Sequence, residues 1–265
     1  LFLNEDNLET KLKDYDNMPD LHLLTTLMDH DRYQIIKNET KDTKYGFSMD
    51  TLFSLHENKK EFNYPNQVQQ FLGFISGSLS GYIPDKKSIF ERITNISIRT
   101  NSRTLLNNAS FTTQLWFLPY GIGMKIEDVS VCLKDKIVND KILNKFEIMI
   151  VNSTHNEIKN LKNDIHKKEI EAKENNKQGL IILVGNQCSL GITLPLVDIV
   201  FLLNNTISSD KIFQMMYRCM TETSNHSKKN GNVIDFNLSR VLSTMIDYNS
   251  NQELNLEDQI KYQIE

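Results

Sequence analysis

Hydrophobic positions change their rhythm near residue 112. Downstream, short apolar runs alternate with longer segments of helical period. Gln114–Pro119 reads as a strand and about Ile126–Asn139 as a helix, Phe146–Asn152 as a second strand and His155–Asn175 as a charged helix. Gly179–Val184 is the third strand, and Val197–Asn204 the fourth, reached by a short connection through Pro195. Ser208 and Ser209 are placed to cap a helix running to about Met220, with Asp210 near its start, where negative charge suits the dipole. Asn232–Phe236 is a fifth strand and Leu238–Tyr248 a last helix. Near-continuous apolar strands separated by helices predict a three-layer α/β fold, a parallel sheet covered on both faces. Ligands of such sheets bind at the carboxyl ends of the strands. That directs attention to Pro119–Gly123, Asn152–Thr154, Gly185–Gly191, Asn204–Ser209 and Asn237–Arg240.

Upstream the pattern is mainly helical. Pro65 sits where a first-turn proline is tolerated, and Val68, Phe71, Leu72 and Ile75 follow at helical spacing before Gly77 and Gly81 stop the run. Ser88–Ile98 places Ile89, Phe90, Ile93 and Ile96 on one side of a second helix. Residues 1–60 read as short helical pieces, Leu21–Met28 the most apolar, broken by polar stretches.

Charge sharpens this division. The chain has 265 residues, 30 Lys+Arg against 34 Asp+Glu, and a net charge of −4. The first sixty residues hold that whole excess, 8 basic against 12 acidic, and read as an acidic arm or insertion. No global field pulls the chain toward a polyanion, so any such binding is local. Three cysteines, odd in number and far apart, make no disulfide framework and point to a reducing compartment. Apolar runs such as Leu180–Val184 and Val197–Leu203 fall far short of the ~20 residues a membrane span needs, so no membrane partner is expected. The opening Leu-Phe-Leu-Asn-Glu-Asp is no signal peptide, and without an initiator Met it reads as an excerpt from a longer protein.

Two segments carry the chemistry. The first is Gly179-Leu-Ile-Ile-Leu-Val-Gly-Asn-Gln-Cys-Ser-Leu-Gly-Ile-Thr193, and the second is Gln214-Met-Met-Tyr-Arg-Cys-Met-Thr221 on the following helix. This strand–loop–strand–helix series resembles the second RecA-like lobe of superfamily-2 helicases, most of all those of large DNA viruses. Gly185–Thr193 is similar to their fifth motif and Gln214–Thr221 to their sixth, a Gln-x-x-(Gly/Asp)-Arg-x-x-Arg pattern, over about residues 110–250. The resemblance implies a RecA-like lobe of P-loop NTPase type at 109–249, preceded by a mainly helical insertion or linker at 61–108 and followed by a polar tail at 250–265. It implies ATP and Mg²⁺ as cofactors, DNA or RNA as partner, and an N-terminal RecA-like lobe of the same polypeptide as the other half of the ATP site. Residues 1–108 would be available to other proteins. The implied location is the cytoplasm, or a viral factory.

Within that resemblance Arg218 matches the first Arg of the sixth motif and Gln214 its leading Gln; four residues apart, they share a helical face. An Arg that reaches a transferring phosphoryl group neutralises developing charge. The chain has only six Arg, and one mid-helix among apolar residues is unusual. The alternative is a structural Arg paired with Asp198 or Asp235. Gly191, Thr193 and Thr221 fall at the implied nucleotide side. Strand contacts would come from Asn186, Gln187 and Ser189 in the fifth-motif segment, from Asn152, Ser153 and Thr154, and from Pro119 and Gly121, mostly short polar groups suited to phosphates. Ordinary polar loops are the competing reading for each. Departures from the pattern are plain: the second Arg falls on Thr221, the usual Asp on Thr193 and the usual Thr on Gly185.

The rest is structural in character. The six His show no ligand spacing with Cys or carboxylates, so no metal site is expected. Cys188 has no partner at nucleophile spacing; Met215, Met216 and Met220 read as core or lobe-interface filler and Trp116 as core; Lys228 and Lys229 read as solvated loop residues. Neither a Gly-x-x-x-x-Gly-Lys-Ser/Thr loop nor an Asp-Glu-x-His/Asp run occurs. The expectation is therefore the C-terminal part of an ATP-dependent helicase or translocase, a hydrolase inactive by itself. The alternative is a non-catalytic RecA-like module of a viral transcription or packaging complex.

Overall fold

A computed structural model of the chain describes residues 18–25, 48–58, 60–78, 87–101, 111–120, 125–151, 158–185, 188, 193–223 and 227–248. Six strands form one all-parallel sheet: β1 (Asp20–Leu24), β2 (Thr112–Phe117), β3 (Phe146–Ile150), β4 (Gly179–Val184), β5 (Val197–Leu202) and β6 (Asn230–Asp235), in the order β1-β6-β5-β2-β4-β3. The helices are α1 (Met49–Leu52), α2 (Pro65–Ser76), α3 (Ile89–Arg99), α4 (Ile126–Val138), α5 (Ile158–Glu174), α6 (Ser209–Met216) and α7 (Leu238–Tyr248). Among the described residues no helix is long and apolar enough to cross a membrane.

Alternation along the strands sorts their side chains into two cores. Trp116, Ile148, Ile181, Leu183, Ile199, Phe201 and Ile234 pack with α2, α3 and α4 through Val68, Leu72, Phe90, Ile93, Val129 and Leu133. On the other face Leu115, Phe117, Ile182, Val184, Val200 and Val233 meet Leu161 and Ile165 of α5 and Ile212, Met215 and Met216 of α6. Helices on both faces of a buried parallel sheet make this a three-layer α/β fold, as the apolar runs predict, of the RecA-like kind that the resemblance implies. Trp116 is fully buried, its Nε1 donating to Gln114 Oε1 at 3.1 Å. Because β2 lies between β4 and β5, the connection from Val184 to Val197 must cross it. Cys188 and Leu194, described residues of that connection, pack on the α5/α6 face.

Local chemistry sets the ends of the upstream helices. Pro65 is in the first turn of α2, and Gly77 closes it at φ 85°, a left-handed conformation that favours glycine. Ser88 and Glu91 form a reciprocal capping box at the start of α3.

One expectation is overturned. The apolar start of Leu21–Met28 is no helix; Asp20–Leu24 is strand β1 at the sheet edge, paired with β6. So short a segment does not distinguish strand from helix by periodicity, and a partner more than 200 residues away decides it. Leu21 and Leu23 join the α5/α6 face, while His22 Nε2 lies 2.9 Å from Asn230 Oδ1.

Candidate functional site

The helix carrying Gln214 is α6. Its apolar face, Ile212, Met215 and Met216, is buried, and Gln214 is half-buried. Ser208 stands at the N-cap without a side-chain cap bond, while Ser209 Oγ bonds Asp247 Oδ2 of α7. The α-helix ends at Met216, earlier than its periodicity predicts, and tightens into a 3₁₀ turn over Tyr217–Met220. Close approach to β6 accounts for the tightening. A Cβ built on Gly231 would lie 2.6 Å from the Cys219 carbonyl oxygen, so only a glycine lets the turn and the strand meet.

Arg218 sits on this turn, half-buried, and its Nε donates to the Gln214 carbonyl at 3.0 Å. Gln214 and Arg218 are thus brought together, through a backbone oxygen rather than by stacking along one α-helical face. Burial pulls the guanidinium below the usual arginine range, and the neighbouring Cys188 acts in the opposite direction. Burial pushes the Cys188 thiol up to about 12, with Arg218 opposing; Cys219 also rises to about 12 through burial. Both are protonated at neutral pH, which suits neither for nucleophilic chemistry.

Of the two acids that could have made Arg218 structural, Asp198 and Asp235, Asp235 is engaged by Arg240. Arg240 Nε donates to Asp235 Oδ2 at 2.7 Å, and Arg240 Nη2 to Asp235 Oδ1 at 2.9 Å, with both side chains buried. Arg240 ends the Asn237–Arg240 segment singled out at the carboxyl ends of the strands but given no role there, although an acid closing a strand with an arginine five residues later on the next helix was a readable signal. Asn204 is buried at the same end, its carbonyl accepting from Arg240 Nη1 at 2.6 Å.

At the amino end of the sheet lies a second set of buried polar groups. Lys228, expected to be solvated, is 2% exposed and donates from Nζ to the carbonyls of Pro195 and Val197, both at 3.0 Å. Those carbonyls sit where β5 begins beside a register shift against β2, and an ammonium supplies the donors the irregular backbone needs. Lys229 is exposed, as expected. Glu169 of α5 is buried and accepts from Thr113 Oγ1 at 2.8 Å. Burial raises its pKa; the Thr113 hydrogen bond, Lys173 and His166 lower it, and Asp198 raises it further.

Of the other sequence-derived site residues, Thr193 is exposed, Thr221 is half-buried just past the 3₁₀ turn, and Pro119 is buried beside the exposed Tyr120. Surface contact at that strand end therefore falls to Tyr120 rather than Pro119. Gly191, Asn186, Gln187, Ser189, Asn152, Ser153, Thr154 and Gly121 lie outside the described residues. Among the described residues no group of three His, Cys, Asp or Glu side chains is arranged to hold a metal ion.

No protein-family model matches the sequence. No curated protein matches it either. Among solved structures, the chain is similar to an ATP-dependent Type ISP restriction-modification enzyme, LlaBIII, bound to DNA (16% identity over 85% of this chain and 12% of that one, TM-score 0.41). It is similar to domain 2 of the DEAD-box helicase Mss116p bound to an RNA duplex (12% identity, 63% of this chain and 56% of that one, TM-score 0.34). A third is the C-terminal part of the Fun30 ATPase domain (11% identity, 98% of this chain and 84% of that one, TM-score 0.35). The chain thus spans less than two thirds of the first two. These likenesses are too distant to assign a role to any residue, and the fold rests on the sheet itself.

Proposed function

We propose that the chain is the C-terminal RecA-like lobe of an ATP-dependent nucleic-acid helicase or translocase, with Arg218 as its phosphate-sensing cation. The observation that carries this reading is the setting of Arg218. It stands half-buried on a tight turn after α6, its Nε donating to the Gln214 carbonyl, while Asp235, one of the two acids that could have made it structural, is bound to Arg240. A guanidinium desolvated before its anion arrives interacts with it more strongly than one in bulk water. Under this reading the Mg²⁺ and the phosphate cradle would be supplied by another lobe. Closure of the two lobes on ATP would bring Arg218 and Gln214 to the phosphates. Opening after hydrolysis would shift the grip of the 185–193 connection on a DNA or RNA strand.

A second reading, a RecA-like module that binds nucleic acid or partners without hydrolysis, is favoured by Thr193 and Thr221. Neither threonine carries the charge expected of a carboxylate or a second finger. Arg218→Ala in the complete polypeptide separates the two. Under the helicase reading, nucleic-acid-stimulated ATP hydrolysis falls by about 10³ or more with the circular dichroism spectrum unchanged. An unchanged turnover number selects the non-catalytic module.

A further inference from the structure

The connector that launches α6 is held from outside its own stretch of chain. Arg240 lies on α7, 7% exposed, at the carboxyl ends of β5 and β6. Besides its two bonds to Asp235, its Nη2 donates to the Leu202 carbonyl at 2.9 Å. Nη1 donates to the carbonyls of Asn204 at 2.6 Å and Thr206 at 3.1 Å, and to Asn204 Oδ1 at 3.3 Å. A guanidinium has five N–H donors, and these partners engage every one.

A buried ion pair alone is weak evidence of stabilisation, because desolvation offsets the attraction. The carbonyls matter more here. Those of Leu202, Asn204 and Thr206 belong to the end of β5 and the irregular connector that follows, which lacks ladder partners of its own. The hold is relayed into the helix: Asn204 Oδ1 faces Arg240, while Asn204 Nδ2 donates to Met215 Sδ at 3.3 Å, next to Gln214. At the opposite end of α6, Ser209 bonds Asp247, also on α7. Each end of α6 is therefore tied to α7.

We propose that Arg240 is a positioning residue which, clamped between Asp235 and the carbonyls of Leu202, Asn204 and Thr206, fixes the pose of α6 and with it the Gln214–Arg218 turn. Its consequence for turnover rests on the helicase reading; its effect on α6 does not.

Amide hydrogen exchange on the 265-residue chain tests the structural half, comparing wild type with Arg240→Lys and Asn204→Ala. Lysine keeps the charge but has three donors instead of the planar fork. Asn204→Ala cuts the relay to Met215 and leaves the ion pair intact. Amides of 209–218 are expected to exchange about tenfold faster in both variants, with those of β2 and β4 unchanged. Equal protection of 209–218, or acceleration spread evenly over β2 and β4, overturns the proposal. If Arg240→Lys does not fold, Asn204→Ala decides alone. In the complete polypeptide, both variants are expected to lower the turnover number for ATP by about tenfold with little change in KM. Turnover lost in Arg218→Ala yet retained in both clamp variants overturns the positioning role. Turnover unchanged in Arg218→Ala removes the helicase reading and leaves the exchange result to judge the clamp.

Discussion

Replacing Glu169 with glutamine should make the protein more stable at neutral pH. The carboxyl is buried on α5 and accepts from Thr113 Oγ1 at 2.8 Å, an acceptor role that the amide oxygen of glutamine can fill. Burial raises its pKa first of all, and Asp198 adds to the rise. Opposing these are the Thr113 hydrogen bond, Lys173 and His166, the last 3.8 Å away on an exposed ring, where screening leaves little attraction. The net shift is upward, so between the unfolded and folded pKa values the native state binds more protons than the unfolded one. Stability is then lost as pH rises through that window. Below the unfolded value both forms carry a neutral side chain and Glu169→Gln changes little. Above the folded value the variant escapes the uncompensated burial, a gain of about 1 kcal/mol, or roughly 2–4 °C in midpoint for a chain of this size. Thermal unfolding of both proteins across pH 4 to 8 should show the gap opening with rising pH, about a degree or less at the acid end. Parallel curves, or a variant less stable at pH 8, would refute the assignment of Glu169 as an under-compensated buried acid.

Two further substitutions probe the packing that supports the site. Lys228→Ala removes both charged donors from the Pro195 and Val197 carbonyls and leaves a cavity, so urea unfolding should show a loss of about 3–5 kcal/mol. A change within experimental error would mean the carbonyls find water instead. Gly231→Ala drives a methyl against the Cys219 backbone oxygen and should cost about 1–3 kcal/mol in the same assay. Near-neutrality would show that the 3₁₀ turn shifts freely from β6.

Among the strands from residue 112 onward, β4 and β5 were legible because they are buried on both faces and read as near-continuous apolar runs. Gly179–Val184 is a case in point, its bounds the same in sequence and structure. The edge strand was not. Asp20–Leu24 has charge and histidine within it, and only its pairing with β6 makes it a strand. The helix holding Gln214 was legible from Ile212, Met215 and Met216, but its early end was not, because the contact of Cys219 with Gly231 is tertiary. The same holds for Lys228 and Arg240. A lysine in a loop rich in Ser, Asn and Gly looks solvated, and nothing local shows that backbone carbonyls await it.

Those two cations reveal how the lobe manages the ends of a parallel sheet. Where β5 enters and leaves the sheet, the carbonyls of Pro195, Val197, Leu202, Asn204 and Thr206 accept from these two side chains. Leaving such groups unpaired where they are buried is costly. A long side chain from a neighbouring element supplies the donors, Lys228 at the amino end and Arg240 at the carboxyl end. A lysine serves where two carbonyls face one point, whereas five donors in a planar fork suit acceptors spread along a connector. The choice has a consequence for Arg218. With Asp235 taken by Arg240, the guanidinium on the 3₁₀ turn donates from Nε to the Gln214 carbonyl and is not locked into the acid at the end of β6.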